Sequence, residues 1–145
     1  LEGRGPLAVY TDSLAMLTDL SRARDVAVYI LGGRYNPDLY SLQGSLAEQV
    51  LDTLKIDLCF IGADAIDRDG QCLVTTPEEA SLTRAMLRRA SRRVLLADHT
   101  KVEAEGPGAA YGDLGDFHLW ITTPGIAPEK IETLRRFVTI KEATA

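Results

Sequence analysis

Five short clusters of polar or glycine residues each follow a run of apolar residues. They are Thr11-Asp12-Ser13, Gly32-Gly33-Arg34, Gly62-Ala63-Asp64, Asp98-His99-Thr100-Lys101 and Thr122-Thr123-Pro124-Gly125. A serine or threonine at a helix start lies beside free backbone amides and the positive end of the helix dipole, which suits a phosphate or carboxylate. Glycines let the backbone approach a ligand closely. Arg34 and Lys101 can neutralise an anion, and Asp64 can accept hydrogen bonds from sugar-type hydroxyls. Together these groups suit a small, polar, anionic ligand. Each also has a purely structural use: Ser13 caps its helix, Gly32-Gly33 makes a tight turn, Asp64 and Asp67 cap turns, and Lys101 stands solvated in a loop.

Other reactive residues form no comparable set. Cys59 and Cys72 are 13 positions apart and sit in or beside apolar stretches, and His99 and His118 do not complete a metal-ligand set with them. Buried thiols in a reducing cytoplasm are the expected state, with no metal and no cofactor. Arg84, Arg88, Arg89, Arg92 and Arg93 make one dense basic segment. On a helix, positions 84, 88 and 92 share a face, which is either a phosphate contact or a solvated helix back. The net charge of −5 shows no basic face for gripping nucleic acid, so this chain by itself is not expected to bind DNA.

The elements that must position these groups follow from the apolar pattern. With 145 residues, 46% hydrophobic and 26% charged, one globular domain is expected, without a membrane-spanning segment. Residues 1–6 read as a cloning remnant or a frayed end, outside a domain at 7–145. Strands are expected at Leu7–Tyr10, Val26–Leu31, Asp57–Gly62, Gln71–Val74, Val94–Ala97, Phe117–Thr122 and Phe137–Lys141. The near-continuous apolar character of Val26–Leu31 and Asp57–Gly62 suits strands covered on both faces. Helices are expected from Asp12 or Ser13 to about Ala23, from a Ser45-Leu-Ala-Glu48 capping box to about Leu54, from a Thr76-Pro-Glu-Glu79 box to about Ser91, and from Pro128 to about Arg136. Glu103–Gly115, rich in Gly and Ala, reads as loop. Alternating strands and helices give an α/β fold with a largely parallel sheet, in which ligands bind beyond the carboxyl ends of the strands.

Taken in order, Thr11-Asp12-Ser13, Ile30-Leu-Gly-Gly-Arg34, Ser41-Leu-Gln-Gly44, Asp57-Leu-Cys-Phe-Ile-Gly-Ala-Asp64, Gly70, Thr76-Pro-Glu-Glu-Ala80 and Leu96-Ala-Asp-His-Thr-Lys101 resemble the effector-binding half of DeoR family transcriptional repressors. The likeness runs from about residue 7 to residue 140. It implies a Rossmann-like fold with helices on both faces, shared with ribose-5-phosphate isomerase and the CoA transferases. It also implies a phosphorylated sugar or related metabolite as effector, a homo-oligomer, and DNA binding through a separate N-terminal helix-turn-helix domain. The implied ligand-binding residues are Thr11, Asp12, Ser13, Gly32, Gly33, Arg34, Gly44, Gly62, Asp64 and Lys101. The phosphate would lie near Ser13, Gly32 and Gly33 with Arg34 or Lys101, and the hydroxyls near Asp64 and Asp12.

The chain departs from that pattern in places. Family members carry a further strand and a glycine–serine/threonine–threonine loop upstream, and this chain begins after that point, N-terminally truncated. Thr11-Asp12-Ser13 stands where threonine–asparagine–serine is usual, and Thr123 where an aspartate commonly ends the last strand motif. The competing reading is a sugar-phosphate isomerase-like enzyme, because Gly62-Ala63-Asp64-Ala65-Ile66-Asp67 looks like that enzyme's acidic stretch. Its chemistry needs a carboxylate base within reach of a carbon-bound proton. Ala65 occupies the position of the isomerase's glutamate, so a non-catalytic sensor is the expected function.

Overall fold

A computed structural model describes residues 7–104 and 108–143. The expectation for residues 1–6 lies outside them. The chain divides into two compact units, one ending at Thr53 and one beginning at Leu54.

In the first unit, β1 (Leu7–Thr11) pairs in parallel with β2 (Val26–Ile30), from Leu7↔Val26 to Thr11↔Ile30. Helix α1 (Leu14–Leu20) connects them, and the Ser13 hydroxyl caps it by accepting from the Met16 amide at 3.4 Å. The helix is shorter than the leucine spacing suggests. The amides of Arg22 and Ala23 bond three residues back, to Asp19 and Leu20, which tightens and ends the last turn. β2 is not covered on both faces: Tyr29 is half exposed and stacks on its register partner Tyr10 with centroids 4.8 Å apart. An antiparallel hairpin of β3 (Arg34–Asn36) and β4 (Ser41–Gln43), unforeseen from the sequence, follows. Helix α2 (Ser45–Asp52) then buries Ala47 and Leu51. Ser45 does not cap it. Gly44, at φ +103°, takes the N-cap position and offers no side chain, so Ser45 becomes the first helical residue.

In the second unit, four strands form an all-parallel sheet in the order β11-β10-β8-β5. They are β5 (Ile56–Gly62), β8 (Ala90–Leu96), β10 (Leu119–Thr122) and β11 (Ile140–Glu142). Helices α3 (Pro77–Arg89) and α4 (Pro128–Leu134) lie in the connections. A smaller antiparallel sheet joins β6 (Ala65–Ile66), β7 (Gln71–Val74) and β9 (Ala109–Asp113). Sheet and helices enclose one apolar core that includes Ile66, Cys72, Leu95, Leu114 and Trp120. Parallel strands linked through helices and closed over such a core make this a Rossmann-like α/β fold.

Local signals explain much of this. Thr76 caps α3 by accepting from the Glu79 amide at 3.1 Å, with Pro77 in the first turn. The helix ends at Arg89 rather than Ser91 because Ala90 already pairs with Ile56 in the sheet, and the Arg89 guanidinium donates to the Leu54 carbonyl. β5, read from its sequence as buried, leaves Leu58 and Phe60 largely exposed, since it is the edge strand of its sheet. The Gly- and Ala-rich segment expected as loop contributes β9, which pairs with β7 from Gln71↔Asp113 to Val74↔Ala109. Residues 105–107 of that segment lie outside the described residues. None of the described helices is long and apolar enough to cross a membrane.

Candidate functional site

The first unit gathers seven of the residues singled out above. Thr11 ends β1, buried, and its carbonyl accepts from the Leu31 amide at 3.1 Å, which holds the ends of β1 and β2 together. The Thr11 hydroxyl accepts from the Ser13 amide at 3.1 Å. The Asp12 carbonyl accepts from the Leu42 amide at 2.9 Å, and Ser13 bridges Ser41, so the hairpin is fastened to this strand end. Gly33, at φ +110°, lies so close to the Gln43 carbonyl oxygen that a Cβ would collide with it. Gly32 is also left-handed, at φ +82°, but a Cβ there would meet open space. Arg34 faces Gln43 across the hairpin, and Gly44 follows at the start of α2. Burial raises the Asp12 carboxyl above its ordinary range, with its own backbone hydrogen bond opposing the shift.

The second unit places Gly62, Asp64 and Lys101 at the carboxyl edge of its parallel sheet. Three strands end there flush, with Gly62 beside Leu96 and Leu96 beside Ile121. Gly62 needs no glycine for space, since the nearest atom to a Cβ would be the Leu96 carbonyl oxygen at 3.8 Å. Its carbonyl accepts from the Tyr111 hydroxyl at 2.8 Å. Asp64 accepts from the Thr75 hydroxyl at 2.9 Å. After β8, Asp98 caps a single 3-10 turn, His99–Lys101. The hydroxyl and amide of Thr100 hold the Asp98 carboxyl below its ordinary range, and the charges of Lys101 and His99 act in the same direction. Lys101 is half-buried and forms no ion pair or side-chain hydrogen bond among the described residues.

Several groups at this edge were not foreseen as site residues. His99 places its Nδ1 2.8 Å from the Thr123 hydroxyl, which also accepts from the His99 amide at 3.2 Å. Gly125, at φ +132°, packs against the His99 ring where a Cβ would not fit. Tyr111 and Thr75 orient Gly62 and Asp64. The only signal for the His99–Thr123 pair was that both residues follow strands. Nothing local pointed to Tyr111, which is 49 residues from its partner. Chemically, this edge offers fixed acceptors (Asp64, Asp98), one cation and hydroxyls, which suits a polar anionic ligand.

Residues 1–123 match the family described as the DeoR C terminal sensor domain. The chain is similar to the transcriptional repressor AccR of Agrobacterium fabrum, 33% identical over 102 residues that cover 70% of this chain and 40% of that protein. It is also similar to the HTH-type transcriptional repressor GlcR of Bacillus subtilis, 28% identical over 79% of this chain and 43% of that one. A third relative is the L-fucose operon activator of Haemophilus influenzae, 30% identical over 68% of this chain and 39% of that one. The chain thus spans less than half the length of these relatives, all of them transcriptional regulators. It belongs to the DeoR C-terminal sensor domain family.

Proposed function

We propose that residues 7–145 act as one effector-sensing and oligomerising domain of a cytoplasmic transcriptional regulator. The effector is a phosphorylated sugar or a metabolite derived from one. Its binding alters the operator affinity of a helix-turn-helix domain elsewhere in the full-length regulator. The observation that carries this reading is the flush carboxyl edge of the parallel sheet, where Asp64, Asp98, His99, Lys101 and Thr123 follow three adjacent strands. Lys101 meets the phosphoryl charge and Asp64 a hydroxyl. Gly62 belongs to the same set in the second unit; in the first unit Thr11, Asp12, Ser13, Gly32, Gly33, Arg34 and Gly44 are the proposed ligand-contacting residues.

The domain is not an enzyme on this reading. Ala65 offers no base where isomerase chemistry would need one, and the Asp64 carboxylate is engaged by Thr75. The similar proteins include both repressors and an activator, so the sign of the response depends on the full-length assembly. A switch requires the effector to favour one arrangement over another, with a coupling of about 1–3 kcal/mol.

The test is a thermal-shift panel of phosphorylated sugars and polyols against their unphosphorylated partners, repeated on Lys101→Ala. At about 100 times its dissociation constant, a ligand adds about 2.7 kcal/mol of apparent stability, enough for several degrees. A shift with phosphorylated compounds only, lost in the variant, is expected. Equal shifts with and without phosphate, or no change in Lys101→Ala, would refute the assignment.

A further inference from the structure

The dense arginine segment has no role in the strand-end site. Arg84 and Arg88 stand one turn apart on α3, whereas Arg92 and Arg93 belong to β8, so the single helical face suggested by the spacing does not form. Arg84, Arg88 and Arg93 instead line one cavity of about 260 Å³, together with Leu87, Tyr111 and Asp116. Arg84 is held there by its Nη1, which donates 2.7 Å to the Ala110 carbonyl. The Nε–H of Arg93 is sealed from solvent and meets no acceptor among the described residues. No ion pair joins any of the three to a described carboxylate. Asp116 already accepts the Asp113 amide at 2.9 Å in a capping box.

A ligand in the cavity would not reach the sealed Nε–H of Arg93; what it would meet is the charge of the three arginines. The dipole at the end of α3 accounts for cations such as Arg88 and Arg89. It does not account for Arg93, which reaches the same cavity from a strand. Three arginines on two elements line one cavity, and the planar fork of a guanidinium matches the oxygens of a phosphoryl group. With one opposing carboxylate, the cavity has the charge to take a dianion.

We propose that this cavity is a second anion site, which binds a phosphate dianion either free or as the phosphoryl group of a small monoester. Its cations are distinct from that of the strand-end site, since Arg93 lies within β8 and Lys101 follows Leu96, and the two share only Tyr111, whose hydroxyl holds Gly62. The site does not depend on the effector assignment above.

The experiment follows the Arg93 Nε–H resonance by ¹⁵N-edited NMR. The probes are inorganic phosphate and, separately, glycerol 3-phosphate, with chloride at matched ionic strength as the control. The resonance is expected to move saturably with at least one probe, with half-saturation near or below about 1 mM. Response to phosphate alone identifies a free-anion site, and preference for the ester a metabolite site. Arg88→Gln should weaken binding about tenfold. Asp116→Asn, which keeps an oxygen for the Asp113 amide but removes the repelling charge, should tighten it severalfold. Lys101→Ala should leave the shift in place. No movement at about 10 mM of either probe, or binding unchanged in Arg88→Gln, overturns the proposal.

Discussion

Trp120 links the stability of the second unit to the strand-end turn. It is the only tryptophan in the chain, it is fully buried, and its Nε1 donates 2.8 Å to the Ala97 carbonyl. Ala97 joins β8 to the Asp98–Lys101 turn, so this hydrogen bond ties the turn to the neighbouring strand β10. Trp120→Phe keeps an aromatic ring in place but removes the donor and two ring carbons. The lost carbons cost about 1.6 kcal/mol, at about 0.8 kcal/mol per buried carbon. The orphaned carbonyl adds about 1–3 kcal/mol. A loss of about 3–5 kcal/mol is a large share of the roughly 5–15 kcal/mol available to a domain.

At this chain length each kcal/mol moves the melting midpoint by about 2–4 °C, so a fall of roughly 6–20 °C is expected. Circular dichroism and calorimetry are the suitable assays, because the substitution removes the fluorophore. In the unsubstituted chain the same tryptophan should emit to the blue of free indole and resist iodide quenching. Well below the midpoint, the variant should also bind a phosphorylated effector severalfold more weakly, since the turn carrying Lys101 has lost a tether. A stability loss under about 1 kcal/mol would refute the premise that this bond is made and sealed from water.

Two further substitutions probe the first unit. Gly33→Ala should cost at least about 2 kcal/mol, combining a left-handed φ with a collision at the Gln43 carbonyl, while Gly32→Ala should cost only about 1 kcal/mol because its Cβ meets open space. Urea denaturation of both variants checks this, and equal losses would contradict the geometry. For Asp12, burial raises the folded-state pKa above its ordinary value of 3.8. The ionised form is therefore disfavoured in the folded state: stability is fully present below the ordinary value and is lost as pH rises through the folded pKa. Asp12→Asn should raise the melting midpoint at pH 7, with the gain vanishing towards pH 4. A lower midpoint at pH 7 would show that burial is not what governs this carboxyl.

The parts of the fold legible in the sequence were those decided within a few residues. Thr76 and Pro77 specify the start of α3 by a side-chain cap and a fixed φ, and the structure forms both. Ser45 presented the same kind of pattern and failed because Gly44, free to adopt φ +103°, took the cap position first. β9 was missed for a different reason. Ala109–Asp113 has no β-branched residue, and its strand character comes from pairing with β7 some forty positions earlier. The hairpin of β3 and β4 is likewise fixed by contacts to Asp12 and Ser13 rather than by its own short segments.

The same division runs through the strand-end site. Its polar residues were visible because each follows an apolar run, but their partners were not, since these come from other strands. Those partners decide what the site has left to offer. Gly62 is held by Tyr111, Asp64 by Thr75, Asp98 by Thr100 and His99 by Thr123. Groups fixed in this way need little reorganisation when a ligand arrives, so their contribution is orientation and selectivity. Lys101 differs from them: the residue is half-buried and its ammonium has no hydrogen-bond or ion-pair partner among the described residues. A cation in that position gains most from an incoming anion, so the charge on the ligand should set affinity and the fixed acceptors should choose among sugars. Phosphate removal and hydroxyl inversion should therefore separate experimentally, the first abolishing binding and the second grading it.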